Sequence, residues 1–179
     1  MSPFLIFALV FAGFKGYKPF RLFKNPVIIP FLVLEATFWV LQVMVANGNM
    51  EVIQWAARLK FFFFAYLLIP IIYYKLYHLA LMGSLLVFVG TGMNRLVMQA
   101  NGGKMPVLFT LSKLTGFAND LSFSAPGSIH IKMTHLTKLN FLGDFLDFGY
   151  CVMSLGDIIM KSYFVIVFYA MIKIMNRDP

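Results

Sequence analysis

Cysteine is almost missing from this chain. Its one thiol, Cys151, has no second to pair with, which excludes an intramolecular disulfide and any cysteine-built metal cluster. Cys151 is either a nucleophile with His130 or His135 as its base, or a small packing residue near a helix start. Charge is scarce as well. Only 12% of the 179 residues are charged, against 60% hydrophobic, and seven carboxylates face fifteen lysines and arginines. The +8 excess forms no basic stripe, so it argues against nucleic acid as a partner. Cations scattered between apolar blocks instead record orientation and contact with anionic membrane lipid. GxSxG, HExxH and the phosphate-loop pattern GxxxxGK[ST] are all missing. So are internal repeats, low-complexity tracts and the inverted pair of broken helices that marks many secondary transporters.

What the chain does have is unbroken apolar sequence. Phe61 to Ile72 reads FFFFAYLLIPII without a charge, and Met1 to Phe14 has none either. A soluble helix must keep one face wet, so several such blocks predict an all-α, polytopic transmembrane helix bundle forming a single membrane domain over 1–179. Mean hydropathy of +0.81 agrees. No basic residue precedes the first block and no small-x-small site follows it. It therefore reads as a short retained helix instead of a secretory leader.

A crossing needs roughly 20 apolar residues, and about five blocks compete for the role. Pro3–Phe14 is short. Val27–Ala46 is long enough and carries Glu35 and Gln42, and it ends at Asn47-Gly48-Asn49. An amphipathic linker through Glu51 and Arg58 leads to a third block from Phe61 to the Tyr73-Tyr74-Lys75 cluster, with a kink expected at Pro70. The fourth, Leu79–Ala100, contains Gly83, Ser84, Gly90, Thr91 and Gly92, small residues suited to close helix packing in lipid. The fifth is Val152–Ile174. Between the last two, residues 101–150 form an elaborated loop with a turn at Ala125-Pro126-Gly127. It is too polar to span and too rich in Leu and Phe for a linker, and is expected to pack on the bundle. With five spans, Lys15, Lys18, Arg21, Lys24, Lys75, Lys173 and Arg177 share one side. The positive-inside bias makes that side cytoplasmic, leaving the amino terminus and the 101–150 loop outside.

Polar residues in membrane segments are costly and mark sites. Ser154, Asp157 and Lys161 share a helix face, with Asp157 and Lys161 in the favourable acid-first i,i+4 order; they form either a polar pocket or a self-satisfied ion pair. Arg95 and Gln99 share a face beside Asn94, and Arg95 can simply snorkel. The turn Asn101-Gly102-Gly103-Lys104-Met105-Pro106 has backbone freedom, a rigid stop and a cation, the ingredients of an anion-binding concavity. His130, His135 and Asp144 could approach one another, but their spacing fits no established zinc pattern, and no metal or cofactor is expected. Asp144 and Asp157 are either an acid/base pair or, for Asp144 after Gly143, a turn residue. Glu35 is a proton or cation site, or a hydrogen-bonding partner for a neighbouring helix.

Asn94, the run NGGKMPV from Asn101 to Val107, His130, Thr137 with Leu139, Leu142-Gly143-Asp144 and Ser154-Leu155-Gly156-Asp157 occur in an order that resembles the domain of unknown function 5317, a family of small bacterial membrane proteins. His135 departs from the acidic residue expected there. The resemblance implies a bacterial cytoplasmic-membrane protein and brings no activity with it. Together with the residue chemistry it predicts a ligand-binding or assembly site at the outer face, built from Asn94, Asn101, Gly102, Gly103, Lys104, Met105, Pro106, His130, Asp144, Ser154, Asp157 and Lys161. Its partners would be membrane lipid, another membrane subunit or a second copy of the chain. An interfacial hydrolase or transferase acting on lipid or peptide is the alternative, and a small transporter or channel subunit a third.

Overall fold

The computed structural model describes residues 2–47, 49, 52–116, 123 and 128–177. Gly48, Glu51 and the turn at Ala125-Pro126-Gly127 lie outside them. The chain is mostly helical and divides into two compact units, Met1–Gly83 with Lys161–Pro179, and Ser84–Met160.

In the first unit α1 covers Ser2–Phe14 and α2 covers Ile29–Ala46, the latter entered through a single turn at Pro26–Ile28. Asn25 caps that turn by accepting from the Val27 amide at 2.9 Å, and Pro26 needs no donor at such a start. Helix α3 (Ile53–Tyr66) begins eight residues before the apolar block, so the segment read as an amphipathic linker is helix from Ile53. Ala56, Ala57, Arg58, Leu59 and Lys60 are all good helix formers. The expected kink appears as a break at Leu67, before α4 (Leu68–Tyr73). Pro70 explains its position: it has no amide to offer the Tyr66 carbonyl four residues back, and its ring crowds that oxygen.

Helix α5 (Tyr77–Ala100) and helix α7 (Leu155–Met175) each take part in both units; α6 (Leu111–Leu114) is a single turn in the second. The stretch Pro26–Val45, α5 and α7 are long and apolar enough to cross a membrane. No residue of α7 from Lys161 to Met175 is exposed, as befits a helix apolar all round at the centre of its unit. Phe31 anchors that core with ring contacts to Phe63, Tyr66, Phe164 and Phe168. Gly83 leaves its space to the Tyr163 ring. At the carboxyl end of α7 the basic loop closes the unit: Arg21 donates to the Met175 carbonyl at 2.9 Å, where a cation also suits the helix dipole. The outer surfaces of α1 to α5 expose large apolar side chains, among them Phe7, Phe14, Val40, Phe61, Leu81 and Phe88.

The second unit adds what an all-α reading does not contain. Strand β1 (Met105–Val107) pairs in parallel with β2 (His130–Lys132), and β3 (Leu146–Asp147) pairs antiparallel with β4 (Val152–Met153). Residues 152 and 153, expected to open the last helix, are therefore strand, and α7 starts at Leu155 because Ser154 caps it there.

Candidate functional site

The amino end of α7 and the carboxyl-terminal half of α5 meet at three of the expected residues. Ser154 accepts from the Asp157 amide at 3.0 Å, the hydroxyl cap that satisfies an orphan donor of a first helical turn. Its own hydroxyl donates to Asn94 Oδ1 at 2.8 Å, and Asn94 Nδ2 donates to Asp157 Oδ1 at 2.9 Å. Both ends of the Asn94 amide are thus engaged, and a carboxylate sits where the helix dipole favours it. The helices come this close because two glycines face each other. A Cβ on Gly156 would stand 2.5 Å from the Gly90 carbonyl and overlap Asn94 Oδ1; one on Gly90 would stand 2.6 Å from Met160 Cγ and overlap the Gly156 carbonyl. Thr91 adds a hydroxyl contact to Met160 Sδ at 3.2 Å. Gly92, one position on, has nothing within 4 Å and takes no part.

The NGG turn closes α5. Gly102 (φ +64°) and Gly103 (φ +83°) are both left-handed, and the Gly103 amide donates back to the Met98 carbonyl at 2.8 Å, a Schellman closure that only glycine makes without strain. Asn101 then ties a distant loop to this helix end. Its Nδ2 donates to the Val97 and Lys138 carbonyls, each at 2.8 Å, and its Oδ1 accepts from the Lys138 amide at 2.8 Å. Asn101→Ala removes all three bonds, each worth about 1 kcal/mol net. Amide exchange at Lys138 should accelerate at least tenfold, while exchange within α7 stays unchanged. Equal exchange of Lys138 in both proteins would show that Asn101 does not hold it.

Lys104 is exposed, whereas Met105 and Pro106 are buried in β1. On one side β1 pairs with β2, and the Met133 amide donates to the Val107 carbonyl at 2.9 Å just beyond it. On the other, among the described residues, it meets the single bridge Val107↔Asp144, so the donor that Pro106 lacks interrupts no ladder there. There the Asp144 amide donates to the Pro106 carbonyl at 2.9 Å. Gly143 is required beside it, since a Cβ would lie 2.8 Å from the same oxygen. This arrangement brings His130 Nε2 to 3.7 Å from Asp144 Oδ2, an ion pair when the imidazole is protonated, with His130 44% exposed and Asp144 12%. His135 lies in an exposed turn. Among the described residues no three of His, Cys, Asp and Glu gather as a metal site would require.

Asp147, which is not among the expected site residues, is a densely hydrogen-bonded carboxylate. Its Oδ2 accepts from the Thr110 amide (2.7 Å) and hydroxyl (3.3 Å) and from the Ser112 amide (2.9 Å) and hydroxyl (2.7 Å); its Oδ1 accepts from the Gly149 amide at 2.8 Å. Burial pushes its pKa up, but the Ser112 hydroxyl and amide, with the Gly149 and Thr110 amides, outweigh that and hold it at about 2. The signal was Asp147-Phe148-Gly149, an acid two residues before a left-handed glycine (φ +83°), which is an Asx-turn pattern. Lys161, half-buried on α7, belongs to the first unit, as does Glu35, buried on α2.

The expected residues thus form three local arrangements: Asn94 with Ser154 and Asp157, Asn101 with the Lys138 backbone, and His130 with Asp144 across β1. No curated protein and no solved structure matches the chain. A family model does match, over residues 19–170, reaching well beyond the carboxyl-terminal motifs into the basic loop and α2. The chain belongs to the Family of unknown function (DUF5317).

Proposed function

We propose that this chain is a non-enzymatic, multi-pass membrane module whose segment 101–153 is a shaped platform for assembly with a partner subunit or a second copy, or for a small polar ligand. One observation carries this: Asn94, Asn101, Ser154 and Asp147 spend polar atoms on neighbouring side chains and on backbone groups of the protein itself, so they build the platform instead of opening toward a substrate. Five crossings are proposed, α1, α2, α3 with α4, α5 and α7. Supporting this, α3 and α4 together run from Ile53 to Tyr73, and the exposed surfaces of all but α7 are rich in Phe, Leu and Val. Five crossings place the arginines and lysines of the loop after α1, Lys75 and the carboxyl end on the cytoplasmic side, and the platform outside.

Asp157→Asn tests the absence of acid/base work. Its amide oxygen can still accept from Asn94, and the charge lost at the helix dipole is worth about 0.5 kcal/mol. Gently purified protein, weighed with its native lipids and associated chains, should retain the same stoichiometric partner in both forms. A small molecule bound by the wild type and released by Lys104→Gln would favour a ligand site instead. The enzyme reading keeps one specific support, the half-exposed His130 with Nε2 3.7 Å from Asp144 Oδ2, an imidazole beside a carboxylate that would favour its protonated form. Any turnover on lipid or peptide that vanished in His130→Gln would replace the assembly reading.

A further inference from the structure

The turn from Thr134 to Leu142 has its polar side chains directed at its own backbone. The Thr134 amide donates to the Thr137 hydroxyl at 3.0 Å, the Leu136 amide to the Thr134 hydroxyl at 3.2 Å, and Asn140 Nδ2 to the Thr134 carbonyl at 2.8 Å. This net holds Leu139 at φ +55°, a conformation leucine rarely adopts. It leaves Leu136 78% exposed and Phe141 65% exposed, with Leu139 also at the surface. Three large apolar side chains on so short a polar turn are a poor surface for water.

The depth of this turn follows from Asn101. The backbone of Lys138 is bonded to the residue directly after α5, a 24-residue helix of membrane-spanning length. A turn fixed to the end of a spanning helix stands at the level of the lipid headgroups, where leucine and phenylalanine enter the acyl boundary and lysines meet phosphate. The charge matches. Residues 128–142 contain Lys132 and Lys138, both exposed, and no Asp or Glu, and exposed Lys104 follows the NGG turn.

We infer that the turn Thr134–Leu142 is an interfacial wedge: Leu136 and Phe141 insert into the bilayer leaflet on the platform side, and Lys138 with Lys132 selects anionic headgroups. This requires only that α5 spans, so it stands whether or not the assembly reading does. The test uses the full chain with Trp39 and Trp55 replaced by Phe and a reporter introduced as Leu136→Trp or, in a second protein, Phe141→Trp. Both reporter positions are exposed, so neither disturbs packing. In phosphatidylcholine vesicles containing phosphatidylglycerol, lipids brominated near the headgroup end of their chains should quench each reporter roughly twofold, while aqueous iodide has little effect. Quenching should be weaker in pure phosphatidylcholine, and Lys132→Gln with Lys138→Gln should erase that difference. Quenching by iodide and not by brominated lipid would put the turn in water and overturn the wedge. Protection from both quenchers would mean that protein covers it, overturning the lipid assignment. Equal quenching in the two lipid mixtures would refute anionic selection.

Discussion

Gly156→Ala should lower the stability of the folded protein by about 3 kcal/mol, the upper part of the range for overpacking a close contact. The added methyl group meets two obstacles that differ in kind. Asn94 Oδ1 is a side-chain atom that can swing away, but only by abandoning Ser154 and Asp157. The Gly90 carbonyl, 2.5 Å from the new carbon, is helix backbone and cannot yield unless α5 and α7 separate locally. Gly92→Ala supplies the control. It lies on α5, two residues from Gly90, with nothing within 4 Å, so helix propensity alone should make it neutral or more stable by up to about 1 kcal/mol. Thermal unfolding in micelles, followed by the helical circular dichroism signal, separates the two. Equal midpoints for the two alanine variants would mean that the helices do not pack through Gly90 and Gly156.

Asp147→Ala should cost a comparable amount, also about 3 kcal/mol, through a different mechanism. Five hydrogen bonds converge on this carboxylate, two of them from Ser112, which is fully buried. Removing the acceptor strands buried donors, and that loss exceeds the net worth of the bonds themselves. The same geometry predicts an acid dependence. The folded pKa, about 2, lies below the ordinary value of 3.8, so the unfolded chain takes up the proton first as pH falls. The contribution of Asp147 is fully present above pH 4 and is lost as pH drops through about 2. Asp147→Asn should remove that acid-side slope while keeping one carbonyl acceptor. Urea titrations of the wild type and Asp147→Asn at several pH values in that window would reveal it. Parallel profiles would assign the acid sensitivity to other carboxylates.

Part of the motif set is legible without coordinates. Gly102 and Gly103 directly after a long apolar helix announce its closure, and Ser154 three residues before Asp157 announces the start of another. Their partners are not legible. Nothing in the run NGGKMPV says that Asn101 reaches Lys138, 37 residues away, or that Asn94 lies between Ser154 and Asp157. Side-chain to backbone bonds of that reach leave no periodic trace. The strands were missed for a related reason: two- and three-residue pairings are too short to impose an alternating pattern. Buried Met105 and Pro106 illustrate the cost, since as sequence they read as an exposed turn and as structure they are core.

By itself the sequence determined the environment and the helices, because apolar blocks near 20 residues long have no stable place but lipid or a large core, and backbone hydrogen bonding in lipid allows little else but a helix. It also determined where the helices break, through Pro70 and the glycines after Ala100. Tertiary structure alone decided what the polar residues do. Asn94, Asn101, Ser154 and Asp147 have the composition of a site, but each is a donor or acceptor whose meaning depends on the group opposite it. In this fold those groups belong to the protein itself. Only the distances and directions set by packing distinguish residues that hold a loop in place from residues that would hold a substrate.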